Sequence, residues 1–145
     1  MAFNVLIVDD SSSMRAVIKK VISMSGFKMD QCLFAGHGKE AFKVLADNRV
    51  DVILSDINMS EMNGLEFLAE IKKDDLLKKI PVILITTESG EKRMQEAFEL
   101  GADGFIKKPF LPQEVKERLY EALGVSDEGE YEEEDIEEDD EDLDF

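Results

Sequence analysis

Five short apolar runs constrain this chain most. They fall at residues 4–8 (N-V-L-I-V), 29–34, 50–55 (V-D-V-I-L-S), 82–85 (V-I-L-I) and 104–107. Runs of β-branched and aliphatic residues with no alternating polar partner suit strands buried on both faces. Between them lie longer segments with helical spacing, so strand and helix alternate along the chain and no repeat appears. That alternation predicts an α/β fold, a doubly wound, five-stranded parallel sheet with helices on both faces, joined by right-handed crossovers. A chain of 145 residues with 43% hydrophobic content is long enough to bury one proper core.

The helical segments carry their own start and stop signals. Ser11 and Ser12 are good N-caps, after which Met14, Val17, Ile18, Val21 and Ile22 form one apolar stripe. Gly26 closes that helix. Residues 39–47 place Ala41, Val44 and Leu45 on one face, and residues 64–73 place Leu65, Leu68 and Ile71. Residues 91–100 bring together Met94, Ala97 and Phe98 before Gly101. Pro112 suits the first position of a last helix, 112–123, that buries Val115, Leu119 and Leu123.

The residues just past the strands carry the chemistry. In open parallel sheets ligands bind beyond the carboxyl ends of the strands. The first run leads into Asp9 and Asp10, the third into Asp56, the fourth into Thr86 and the fifth into Lys108. Alone, Asp56 reads better as a solvated loop cap than as a site residue. If the strands are neighbours, however, all five side chains converge on one shallow pocket. At ~5 Å and an effective dielectric of ~20, each carboxylate pair repels by about 3 kcal/mol. A small hard dication offsets that charge best: Mg²⁺, or Mn²⁺ in its place, takes oxygen ligands and bridges carboxylate to phosphate. The Thr86 hydroxyl and Lys108 ammonium complete a site for a tetrahedral anion.

Asp9-Asp10, Ser55-Asp56-Ile57-Asn58-Met59, Pro81-Val82-Ile83-Leu84-Ile85-Thr86 and Lys108-Pro109-Phe110 together resemble the receiver domain of two-component response regulators. The likeness spans residues 3 to about 125 and is closest to the stand-alone chemotaxis, CheY-like type. It implies the flavodoxin-like strand order 2-1-3-4-5 and a receiver domain over 1–125. It implies Asp56 as phosphoacceptor, with Mg²⁺ held by Asp10, Asp56 and the Asn58 carbonyl and, largely through water, by Asp9. Lys108 would pair with the phosphoryl oxygens across a cis Lys108-Pro109 bond. Thr86 and Phe105 would form the switch, and Asn58 and Glu88 would modulate dephosphorylation. Ser60 stands where the family usually has proline, and Asn63 replaces a common Asp. Thr87 is bulkier than the usual small residue, and Phe105 lacks the hydroxyl of the commoner tyrosine.

The implied function is a signalling switch in chemotaxis or motility, phosphorylated by a histidine kinase and read by an output protein such as a flagellar switch component, with a phosphatase as a further partner. It is not an enzyme in the ordinary sense, although it would catalyse its own phosphorylation and dephosphorylation. A phosphorelay intermediate or phosphate sink is the alternative within this class. A Mg²⁺-dependent Asp-x-Asp phosphatase expects a second Asp where Asn58 stands. A flavin protein of this topology wants a glycine- and threonine-rich loop where Asp9-Asp10 stand.

The charge is uneven. Residues 126–145 hold 14 acidic and no basic residues, leaving 20 against 17 in the first 125. Such a tail is expected to be disordered and disfavours nucleic acid as a partner. It reads first as a solubilising tail; the alternative is docking, since Tyr131, Ile136, Leu143 and Phe145 are spaced through it as in segments that dock on basic, apolar surfaces, either in trans or in cis on a face bearing Lys92, Arg93, Lys107, Lys116 and Arg118. The one cysteine, Cys32, reads as a buried, inert thiol, and His37 as a surface or capping residue. No run reaches the ~18 apolar residues of a membrane span, so no membrane insertion and a cytoplasmic location are expected.

Overall fold

The computed structural model describes residues 2–87 and 91–125. The element order is β1 (Phe3–Val8), α1 (Ser12–Ser25), β2 (Met29–Ala35), α2 (Gly38–Asp47), β3 (Val52–Asp56), α3 (Gly64–Lys73), β4 (Val82–Thr86), α4 (Glu91–Glu99), β5 (Gly104–Lys107) and α5 (Pro112–Leu123). All strand pairs are parallel, and the order is β2-β1-β3-β4-β5, as the resemblance implies.

Successive side chains of a strand leave the sheet on opposite faces, and the two cores divide accordingly. Leu6, Val8, Ile53, Val82 and Leu84 pack with α2, α3 and α4, where Ala41, Phe67, Leu68, Ile71 and Ala97 are buried. Val5, Ile7, Val52, Leu54, Ile83, Ile85 and Ile106 pack with Ile18 and Ile22 of α1 and Val115, Leu119 and Tyr120 of α5. The central strands are hydrophobic on both faces because both faces are covered.

The caps agree with the sequence. The Ser11 hydroxyl accepts from the Met14 amide, and Gly26 ends α1 at φ 87°. His37 caps α2, its ring accepting from the Glu40 amide. Asn63 and Glu66 form a reciprocal capping box on α3. Cys32 lies in β2, half-buried, and burial pushes its thiol up to about 11, so it is inert as expected.

Three helix faces differ from their periodic patterns. On α1 only Ile18 and Ile22 are buried, while Val17 is 48% exposed. The stripe is wider than the strip of sheet beneath it, so its Val17 flank overhangs. On α4, Ala97 is buried but Phe98 is 50% exposed, its ring lying 6.5 Å from that of Phe105. On α5, Tyr120 rather than Leu123 completes the buried face; its hydroxyl accepts from the Lys28 amide at 3.3 Å and its ring lies 4.9 Å from that of Phe27. Lys116 also turns toward α1: its Nζ is 3.9 Å from where a side chain on Gly26 would begin. It therefore does not share a face with Lys92 and Arg93 of α4. The acidic segment 126–145 lies outside the described residues. Among those described, no helix is long and apolar enough to cross a membrane.

Candidate functional site

The register of the sheet assembles the site. Val8 of β1 pairs with Ser55 of β3, so one step further Asp9 comes alongside Asp56. Both continue the rows of Val5 and Ile7 and of Val52 and Leu54, and so leave the sheet on the α1–α5 side. Asp56 pairs with Ile85, which puts Thr86 on the opposite face, the side of α4. Phe105 pairs with Leu84 and shares that second face.

Carboxylate oxygens of Asp9, Asp10 and Asp56 all lie within 4.8 Å of one another. Asp9 is only 2% exposed. Its Oδ1 accepts from the Ser11 amide at 2.9 Å, but its Oδ2 is buried without a hydrogen-bond partner. The nearest compensation is the Lys108 ammonium at 3.9 Å. An orphaned buried carboxylate oxygen is costly, and this one faces two further carboxylates. Asp56 is half-buried, and its Oδ1 accepts from the Ile57 amide at 2.8 Å. Burial pushes its pKa up and the Asp9 charge adds to the rise, against Lys108 and the Ile57 and Asn58 amides. The site is under-compensated. An all-oxygen cluster with one buried lone-pair oxygen fits a hard dication such as Mg²⁺.

Several supports hold these groups. The Lys108 amide donates to Thr86 O at 2.8 Å, tying the β5–α5 loop to β4, and the Lys108-Pro109 bond is cis, as expected. Arg15 Nη1 donates to Asp9 O at 2.6 Å. Gly64 comes against the Asp56–Ile57 backbone: a Cβ there would overlap Asp56 O and lie 2.7 Å from Ile57 Cα. Its amide donates to Ile57 O at 2.7 Å. The loop between them turns through Glu61, at φ 67°, and Ser60 O accepts from the Met62 amide at 2.7 Å. Arg15 and Gly64 were not singled out as site residues from sequence. A glycine closing a loop that begins at a candidate aspartate was the available signal for the second; nothing in the sequence marked the first.

The remaining candidates are placed differently. Thr86 is fully buried at the end of β4, Phe105 is half-buried, and Asn58 is exposed beside Asp56. The Phe98 ring of α4 lies 6.5 Å from that of Phe105. Glu88 lies outside the described residues.

Known proteins share this arrangement. The family model for the response regulator receiver domain matches residues 5–120. The chain is 43% identical over 123 residues to the chemotaxis protein CheY1 of Helicobacter pylori, covering 84% of this chain and 98% of the relative. It is 42% identical over 121 residues to a chemotaxis protein CheY homolog of Campylobacter jejuni, covering 83% and 92%. The structure of the chemotaxis response regulator CheY4 of Vibrio cholerae superposes with a TM-score of 0.74 at 33% identity, over 84% of this chain and 99% of that one. These matches span nearly the whole described fold, and they set aside the phosphatase and flavin readings. With its strand order, its acidic cluster and its sequence agreeing, this chain belongs to the response regulator receiver domain family.

Proposed function

We propose that the protein is a phosphorylation-controlled switch of the chemotaxis type, with Asp56 as the residue that accepts the phosphoryl group. One observation carries this reading: three carboxylates clustered within 4.8 Å, the most buried with an unpartnered oxygen, beside a lysine at the next strand end but one. Asp9, Asp10, Asp56 and the Asn58 carbonyl would hold Mg²⁺. When bound, the ion supplies positive charge that offsets the carboxylates and draws phosphoryl oxygens toward them.

The chain's own residues do the rest. Asp56 is the nucleophile: one of its carboxylate oxygens forms the new P–O bond while the P–N bond of a phosphohistidine breaks and the imidazole leaves with its electron pair. The backbone contacts from Gly64 and Ile57 fix its position. The upward shift of its pKa says that its negative charge is poorly balanced, so it gains from an approaching electrophile. Lys108, 17% exposed in its side chain and 3.9 Å from Asp9, would pair with phosphoryl oxygens. In the return step, water attacks phosphorus and Asp56 is the leaving group; the exposed Asn58 side chain and Glu88 would set that rate. The protein thus acts on itself and turns over no separate substrate.

Phosphorylation adds nearly two negative charges and three acceptor oxygens. Thr86 responds from the far side of β4, and Phe105 moves behind it on the same face, against α4. The readout would be a changed affinity for an output protein, with a histidine kinase as donor. The test is mass spectrometry after incubation with a small acyl phosphate and Mg²⁺, followed by capture of partners on beryllofluoride-treated protein. Modification mapped to Asp56, absent from Asp56→Asn and lost with chelator, is the expected result. Modification elsewhere, or none, overturns the assignment. Partners held equally by treated protein and Asp56→Asn would point to a phosphate sink or relay instead.

A further inference from the structure

The overhanging flank of α1 borders a groove of about 460 Å³ between that helix and the loop from β5 to α5. Met14, Val17, Val21, Phe110, Thr87 and Lys108 line it. Beyond it along α1, Met24 is 66% exposed. Exposed apolar side chains gathered on one helix face are the kind of surface that interaction sites use. Away from the acidic cluster, toward the C-terminal end of α1, the groove's surroundings are basic. Lys20 and Lys28 are exposed, and Lys116 turns from α5 toward Gly26 at the lower end. Glu117 is the acid on that flank of α5, bonded to Gln113 at 3.1 Å.

Val125, the last described residue, packs against the same core cluster as Met14, Val21 and Phe110. The chain therefore leaves the domain on the side of the sheet that α1 and α5 cover. Residues 126–136 carry seven acidic residues, no basic ones, and two large apolar side chains, Tyr131 and Ile136. Charge and apolarity both complement the groove. Reach suffices as well. At about 1.5 Å per residue the 12 residues of α5 rise about 18 Å. At about 3.3 Å per residue an extended return from Val125 to Tyr131 covers about 20 Å.

We infer that residues 126–136 dock in cis along the groove between α1 and the β5–α5 loop, with Tyr131 and Ile136 on Met14, Val17 and Val21 and the acids against Lys20, Lys28 and Lys116. The observation that selects this face over α4 is the combination of an open apolar strip, three lysines and the exit point of the chain.

Paramagnetic relaxation on the full chain tests this, in unphosphorylated, metal-free protein, so the outcome does not depend on whether Asp56 accepts phosphate. A nitroxide is attached through Glu134→Cys; the native Cys32, half-buried with its thiol pushed up to about 11, labels slowly at neutral pH. The expected result is broadening strongest at the Met14, Val17 and Val21 methyls, unchanged on dilution. It falls severalfold between about 0.01 M and about 1 M salt, where the screening length drops from about 30 Å to about 3 Å. It also falls when Tyr131→Ser and Ile136→Ser are combined. Broadening spread evenly, centred on α4, dependent on concentration, or indifferent to the double substitution overturns the inference.

Discussion

Gly64→Ala puts the site's scaffold to a sharp test. Gly64 opens α3, and its φ is not in the left-handed region. From helix propensity alone, alanine gains up to about 1 kcal/mol over glycine. The structure predicts the opposite sign. The new methyl would overlap Asp56 O and stand 2.7 Å from Ile57 Cα. Both obstacles are backbone in a β3–α3 junction pinned by the bond from Gly64 N to Ile57 O at 2.7 Å, so neither yields by a rotamer change. Forced overpacking of this kind costs about 1–3 kcal/mol. At a typical urea slope of about 1–3 kcal/mol per molar, the midpoint falls by about 1 M. Circular dichroism in urea measures it, since there is no tryptophan. Because the displaced atoms belong to Asp56, modification by a small acyl phosphate should slow more than the loss of folded protein explains. A midpoint unchanged or raised would refute the claim that Gly64 is required by close approach.

Other expectations rest on the same geometry. Burial and Asp9 raise the Asp56 pKa above its usual 3.8, so the folded state favours the protonated form. In metal-free buffer the stability of wild type relative to Asp56→Asn should be greatest below the ordinary carboxylate range and fall as pH rises through the raised folded value, then level off; a flat difference across that range would refute it. Lys108→Met removes the charge that lowers the Asp56 pKa, so the carboxyl carbon resonance of Asp56 should titrate at higher pH than in wild type, and a downward move would contradict the assignment. Phe67 is fully buried and Phe98 is 50% exposed. Phe67→Ala should therefore cost about 3–5 kcal/mol in chemical denaturation, and Phe98→Ser within about 0.5 kcal/mol. Similar losses would mean that α4 packs more deeply than described.

The strands were legible because a strand buried on both faces leaves an unbroken apolar run, as in Val52, Ile53 and Leu54, and because the residue after each run is polar for a reason. The convergence of Asp9, Asp56 and Lys108 was legible for the same reason: position after a strand fixes position on the sheet's edge. Sequence spacing does not report how wide a surface a helix meets. Val17 and Phe98 have the right periodicity and are still about half exposed, while burial on their helices centres on Ile18 and Ile22 and on Ala97. Nor does it report which way a long side chain turns, which is how Lys116 came to be grouped with α4 although it reaches Gly26. Contacts between backbone segments, such as Gly64 on Asp56, leave only the absence of a side chain as their trace.

The opposite exits of Asp56 and Thr86 from neighbouring strands have a consequence for traffic at this surface. The sheet works as a partition, with the Asp56 carboxylate opening toward α1 and α5 and Thr86 and Phe105 toward α4. If Asp56 accepts a phosphoryl group as proposed, a protein seated against Phe98 and Phe105 would stand on the other side of the sheet from it, and loading and readout would not compete for one surface.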